Sequence, residues 1–264
     1  MISEIKGKIS RSGSNLTDRL EDKLTGDFFG ALRYLPFEQG LKRILQQVKF
    51  AEEKNQNEWL TLLDLQSGYK LDYKFWPKHS KGEIDLILEF DDLLVGIEVK
   101  YKSGISSEDD VEVEKVIEYK DSLHQLSKYS HILEERAGNR KCYLIFLAPF
   151  AIQHQVQQKL NVTYEISPAV KMGYTIWEDL HTALIWMTKT AQPGAQRLVL
   201  TDAKELLEVK GLKRFSGFAN FTASYEIQHT PYIYETDKVL PSSAWSWPEM
   251  QSSEEDQPYV YSTY

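Results

Sequence analysis

The chain has 264 residues and a formal charge of −8, with 39 acidic against 31 basic side chains, long enough for one large α/β domain with appendages or two small domains. The acidic balance argues mildly against a protein that coats nucleic acid, although a locally basic groove on an acidic chain still attracts phosphate. No apolar run approaches the roughly 20 residues that cross a bilayer, and residues 1–14 are polar and mildly basic rather than a signal peptide, so the expectation is a soluble, cytoplasmic protein without a membrane partner.

Residues 18–35 place Leu20, Leu24, Phe28, Ala31 and Leu35 at spacings of three and four, which predicts an amphipathic helix with one buried face. A second helix is expected over 38–53, ended by the polar stretch Lys54-Asn55-Gln56-Asn57. Three strands are predicted over 71–78, 83–90 and 93–100. The loop 103–110 then leads into a long helix reaching about residue 135, with Val113, Val116, Leu123, Leu126 and Leu133 near one face. The run 142–148 is nearly all apolar, which predicts a central strand of a sheet covered on both sides. The single cysteine, Cys142, lies in it and reads as a small core hydrophobe. One cysteine excludes intrachain disulfides and cysteine-rich zinc sites, which fits a reducing compartment.

Beyond Phe150 the pattern predicts a Gln-rich helix, a short strand over 174–177, a helix over 178–190, the linker Gln192-Pro193-Gly194 and a helix over 198–209. The expected fold class is α/β, a mixed central sheet flanked by helices. Residues 1–150 form the core with its N-terminal helices, 151–218 continue the same domain, and 219–264 are an aromatic and acidic extension. That C-terminal region is the candidate surface for a homo-oligomer or a partner protein.

The chemistry concentrates between Glu83 and Lys100. Alternation assigns Ile84, Leu86, Leu88 and Phe90 to the core face of one strand, and Leu93, Val95, Ile97 and Val99 to that of the next. If Asp91-Asp92 forms a two-residue turn, Phe90 faces Leu93, Leu86 faces Ile97 and Asp85 faces Glu98. Glu83 then faces Lys100, with Gly96 leaving room beside the charged groups. Opposed carboxylates with β-carbons about 5 Å apart destabilise a sheet unless something compensates, and a divalent cation such as Mg²⁺ or Mn²⁺ would do so. Lys100 is then placed to orient or activate an attacking water rather than to hold the ion.

Asp85 followed by Glu98-Val99-Lys100 resembles the PD-(D/E)XK nucleases, in which an acidic residue on one strand precedes the Asp/Glu-X-Lys of its hairpin partner. Gln125-Leu126-Ser127-Lys128-Tyr129 is similar to the Gln-X-X-X-Tyr motif of the RecB-like branch, and residues four apart share a helical face. Glu21, in Glu21-Asp22-Lys23-Leu24-Thr25-Gly26, matches the metal-binding glutamate that the first helix supplies in some bacterial members. Ile84 replaces the proline before the aspartate, a position that is not a ligand. The resemblance spans residues 18–150 and extends, with weaker matching, to Phe218. It implies a restriction-endonuclease-like core and an Mg²⁺- or Mn²⁺-dependent DNA nuclease of restriction, repair or phage defence. Asp85, Glu98 and Lys100 would be catalytic, Glu21, Asp85 and Glu98 would hold the metal, and Gln125 and Tyr129 would contact metal-bound water or a phosphate. The competing expectation is a catalytically silent nucleic-acid-binding or scaffold module.

Several of these residues have plainer readings. Asp18 and Glu21 also fit a helix-capping pair, and Glu83 fits a salt-bridge partner of Lys100 better than a second metal ligand. Lys70, Lys74, Lys78, His79 and Lys81, followed after the hairpin by Lys102, are candidates to track a nucleic-acid backbone, with Tyr73, Phe75 and Trp76 available for stacking. The same pattern also fits an edge strand protected by lysines with its aromatics in the core. His124 and His131 share a helical face, but two histidines do not make a zinc site.

Overall fold

A computed structural model describes residues 16–101, 111–163 and 165–214, all of them within one unit, Met1–Phe215. Lys102, the loop 103–110, the side chains of Asp18, Val113, Val116 and Leu123, and the extension 219–264 lie outside the described residues. The elements run α1 (Leu16–Leu32), a 3₁₀ turn (Phe37–Gln39), α2 (Leu41–Leu45), β1 (Lys49–Phe50), α3 (Glu53–Leu65), β2 (Asp72–Phe75), β3 (Lys78–His79), β4 (Gly82–Glu83), β5 (Leu86–Glu89) and β6 (Leu93–Val99). They continue with α4 (Val111–Ala137), β7 (Lys141–Ala148), α5 (Phe150–Thr163), β8 (Val170–Ile176), α6 (Trp177–Thr190) and α7 (Ala195–Val209). No described helix is long and apolar enough to cross a membrane.

The fold is α/β. Six strands form a mixed sheet in the order β1-β8-β7-β6-β5-β2, and β3 pairs with β4 in a separate two-stranded ribbon. β6, β7 and β8 are parallel, while β5 joins β6 as an antiparallel hairpin. Side chains on β6 and β7 alternate between two apolar layers, as period-2 geometry requires. Val95, Ile97, Tyr143 and Ile145 meet α1, α2, α3, α6 and α7 on one face. Leu94, Leu144 and Phe146 meet α4 and α5 on the other. Cys142 is buried in this second layer, and burial pushes its thiol up to about 12.

The hairpin register is the one that alternation and a two-residue turn predict: Leu86 pairs with Ile97, Ile87 with Gly96 and Leu88 with Val95, and the Phe90 amide donates to the Leu93 carbonyl at 2.9 Å. The first strand departs from expectation below Leu86. Trp76 adopts a left-handed backbone, φ 46°, which a bulky side chain accepts only under constraint. It ends β2 and turns the chain into the β3–β4 ribbon, so the strand expected over 71–78 is split. The strand expected over 83–90 is split too, by a bend at Asp85. That bend moves Ile84 out of the Leu86 layer and into the α4 layer.

A second correction concerns residues 38–53. Instead of one helix, the chain makes a 3₁₀ turn, the short α2 and β1. The polar stretch from Lys54 to Asn57 opens α3 rather than ending a helix, because Trp59 and Leu63, one turn apart and fully buried, supply its apolar stripe. Gln56 on the same turn donates to the Val48 carbonyl and accepts from the Phe50 amide, fixing α3 to β1.

Gly96 does not leave space for the charged groups as expected; α4 uses that space. A Cβ at this position would stand 2.6 Å from Leu133 Cδ1, and Leu133 is itself fully buried. Gly96→Val should therefore lower stability in urea unfolding by about 1–3 kcal/mol, the range for overpacking a core. Adding Leu133→Ala should recover part of that loss, whereas independent, additive effects would show that α4 does not seat on Gly96.

Candidate active site

Four residues from two distant segments meet at the carboxyl end of β6. Along the α4 face the strand runs Leu94, Gly96, Glu98 and then Lys100, so it passes from apolar to charged as it emerges from beneath the helix. Glu98 is only 2 % exposed and Asp85, from the bend before β5, 9 %. Asp85 Oδ2 accepts the Val99 amide at 2.8 Å, which holds its carboxyl against the strand that carries Glu98. The Lys100 ammonium stands 2.9 Å from Glu98 Oε1 and 3.2 Å from Glu21 Oε1. The second oxygen of Glu21 accepts the Tyr101 amide at 3.0 Å.

Glu21 reaches this edge because α1 is anchored one face-repeat later. Glu21 and Phe28 are seven residues apart and so lie on one side of the helix. The Phe28 ring packs edge-on against Trp177, with centroids 5.3 Å apart, and Trp177 Nε1 donates to the Lys100 carbonyl at 2.8 Å. The Lys100 amide donates to the Leu147 carbonyl at 2.7 Å, extending the β6–β7 ladder past Val99. Lys100 is thus fixed at both ends of its peptide unit and at its ammonium. Trp177, and the Val99 and Tyr101 amides, were not singled out from the sequence. Amides leave no composition signal, and a tryptophan opening a helix looks like any other core aromatic.

The electrostatics follow from burying unequal numbers of charges. Burial pushes the Asp85 carboxyl well above the ordinary carboxylate range, and the Glu98 carboxylate adds to that rise while Lys100 opposes it. Glu98 is raised by burial and held back by Lys100. Burial brings Glu21 up to about 7 against the pull of Lys100. For Lys100 burial alone acts downward, but Glu98, Glu21 and Asp85 together lift its ammonium well above the usual lysine value. It remains a cation and a hydrogen-bond donor. Glu98 Oε2 is buried with no amide, hydroxyl or ammonium donor, and the Glu98 carboxyl lies within hydrogen-bond reach of Asp85, so the pair can share one proton.

The structure brings Asp85, Glu98, Lys100 and Glu21 together. Tyr129 is close by on α4, its ring against Gly82, and burial followed by the Glu98 and Asp85 carboxylates pushes its phenol far upward. Gln125, four residues before Tyr129 on the same helical face, is half-buried. Glu83 is placed differently from expectation: it pairs across the β3–β4 ribbon with Lys78, and Lys100 takes its ion pairs from Glu98 and Glu21 instead, because the bend at Asp85 ends the hairpin ladder first.

Part of the basic set before the hairpin is paired within the protein. Lys74 pairs with Asp72, and Lys81 and His79 both pair with Glu135 on α4. Lys78 and Lys70 are exposed. Phe75 and Trp76 are buried in the core rather than available for stacking. His124 and His131 are exposed.

Among the described residues no group of three or more His, Cys, Asp or Glu side chains is gathered closely enough to form a metal site by itself. Mg²⁺, however, is commonly held by one or two carboxylates with water completing its shell. Asp85 and Glu98, both acceptor-only when ionised, suit such an ion. No known family profile and no curated protein matches the chain.

Glu21 titrates near 7 in the folded, metal-free protein and near 4.5 when unfolded. Between those values the folded state binds more protons, so this group makes stability fall as pH rises, with its full penalty present above about 7. Glu21→Gln removes the charge and keeps an acceptor. In chelator its melting temperature should exceed that of wild type at pH 8, and the difference should shrink to nothing below about pH 4.5. A pH-independent difference would mean that Glu21 is not held in a charge-depleting site.

Proposed function

We propose that this chain is a metal-dependent nuclease with a restriction-endonuclease-like core of the PD-(D/E)XK type, hydrolysing phosphodiester bonds in DNA. The observation that carries the reading is the buried carboxyl pair Asp85 and Glu98, within hydrogen-bond reach of each other and with Glu98 also on the Lys100 ammonium. Burying two ionisable carboxyls around one ammonium costs several kcal/mol unless they share a proton or hold a further cation.

Asp85 and Glu98 would hold Mg²⁺ or Mn²⁺, with Glu21 as the third acidic residue at the same edge. The ion, when bound, supplies Lewis-acid polarisation of the phosphoryl oxygen and a lowered pKa for its water. The chain's own residues do the rest. The Lys100 ammonium, held protonated by its neighbours, offers a donor to the attacking water or to the developing phosphoryl charge. Its carbonyl, fixed by the Trp177 indole, keeps that donor from drifting. Tyr129 and Gln125 form the polar flank on α4, as outer members of the site.

The second reading, a catalytically silent module, is favoured by one observation: the Lys100 ammonium already serves as the counterion to Glu98 and Glu21. Thermal melts separate the two. A cation that binds only the folded state stabilises it by about 2.7 kcal/mol at a hundredfold excess over Kd, so Mn²⁺ should raise the melting temperature of wild type. Asp85→Asn keeps the acceptor for the Val99 amide and cannot ionise; in chelator it should melt above wild type at alkaline pH, where burial penalises the Asp85 carboxylate, and it should lose the response to Mn²⁺. Identical melting of both proteins with Mn²⁺ and with chelator would overturn the metal assignment.

Lys100→Ala should abolish cleavage of DNA in Mn²⁺ or Mg²⁺. The structure adds that it should also lower the melting temperature in chelator, because Glu98 and Glu21 lose the charge that offsets their burial. Near-wild-type turnover in Lys100→Ala would overturn the nuclease mechanism.

A further inference from the structure

A cavity of about 590 Å³ opens on the same carboxyl edge of the sheet, beyond β7. Its volume is in the range of small-molecule sites, roughly 300–1,000 Å³. One wall is the β8–α6 junction, with Thr175, Ile176 and Glu178; the other is the first turns of α5, with Phe150 and Gln153. Lys49, Lys213 and Arg214 stand at its rim.

Three features of this cavity point to a ligand. Phe150 is 58 % exposed although it follows a fully buried strand, and its ring stacks on His154 at 5.7 Å and 13°, which leaves a supported aromatic surface facing outward. Thr175, 6 % exposed, and Glu178 each keep a buried side-chain oxygen with no partner. A buried polar atom left unpaired costs about 1–3 kcal/mol, so two of them beside one cavity mark a surface made to meet something polar. The rim is basic on an acidic protein: Arg214 pairs with Asp179, while Lys49 and Lys213 are exposed.

We propose that this cavity is a nucleotide subsite for single-stranded nucleic acid, in which one base stacks on Phe150, its edge meets Thr175, Glu178 and Gln153, and its phosphate lies against Lys49 and Lys213. The subsite is joined to the candidate catalytic centre. Trp177, between the lining residues Ile176 and Glu178, donates to the Lys100 carbonyl at 2.8 Å. The carboxyl ends of β6 and β8 are two strand spacings apart, roughly 10 Å, which an extended strand covers within a few nucleotides. Stacking on an aromatic is sequence-tolerant, because every base has a π-face. The subsite therefore selects unpaired strand over duplex rather than one sequence over another.

This proposal takes the path of the strand from the nuclease reading, but binding in chelator measures the subsite alone. Fluorescence anisotropy with a labelled single-stranded DNA, the matching RNA and a blunt DNA duplex should show wild type binding the single strands. Phe150→Ala should weaken that binding roughly five- to a hundredfold, the range for losing one base–aromatic stack, and Phe150→Tyr should restore it. Lys213→Glu should weaken it and flatten its salt dependence. Trp186→Ala, which removes an exposed aromatic stacked under Arg43 away from this cavity, should change nothing. Binding of single strands without cleavage in Mn²⁺ would support the subsite and overturn the nuclease. Cleavage with undiminished binding in Phe150→Ala would do the reverse. Equal weakening for duplex and single strand, or no binding of either single strand by wild type, would overturn the subsite.

Discussion

Burying an ionisable carboxyl is among the costliest things a protein can do, and the carboxyl end of β6 is arranged around doing it twice, at Asp85 and Glu98. Asp85 and Glu98 are nearly sealed from water, and one ammonium, Lys100, is shared with a third carboxylate, Glu21. One ammonium cannot serve three carboxyls, so burial holds protons on them and the backbone adds donors: the Val99 amide serves Asp85 and the Tyr101 amide serves Glu21. Pinning α1 to the sheet edge through Phe28 and Trp177 is what allows Glu21 to take part. The result is a cluster in which burial sets the protonation of three carboxyls around one ammonium.

Its location follows from chain topology. The crossovers from β6 to β7 and from β7 to β8 carry α4 and α5 on one face, so the strands emerge together at one edge, the usual ligand-binding side of parallel sheets. The candidate centre lies at the end of β6, and the open cavity lies beyond the ends of β7 and β8. The two candidate sites thus share one edge without sharing side chains.

What could be read before folding was whatever depends on near neighbours. The hairpin register over Leu86–Glu89 needed only strict alternation and a two-residue turn, whereas Asp85 meets Glu98 from a bend outside that ladder. α1, α4, β7 and the last two helices declared themselves by period. What could not be read depended on distant contacts. The Lys54–Asn57 stretch looks like a helix end by composition, yet Trp59 and Leu63 make it a helix start once β1 and the sheet give them something to cover. Trp76 was indistinguishable from a strand residue, because its left-handed backbone is imposed by the surrounding chain. Glu21 carried two meanings in the sequence, cap or site residue; its ion pair with Lys100 and its hydrogen bond from Tyr101, about eighty positions away, tie it to the cluster at the end of β6. Phe150 and the partnerless oxygens of Thr175 and Glu178 have no sequence signature at all.

The β8–α6 turn carries two duties on consecutive residues. Ile176 and Glu178 shape the open cavity, while Trp177 between them clamps the Lys100 carbonyl and packs edge-on against Phe28. Any substitution that moves this turn to recut the cavity also moves the clamp. Divergence of ligand preference in proteins built this way should therefore run through the opposite wall, the first turns of α5 and the basic rim at Lys213 and Arg214, where side chains can change without a mechanical consequence for Lys100. The fold separates a wall that can vary from a wall that must stay.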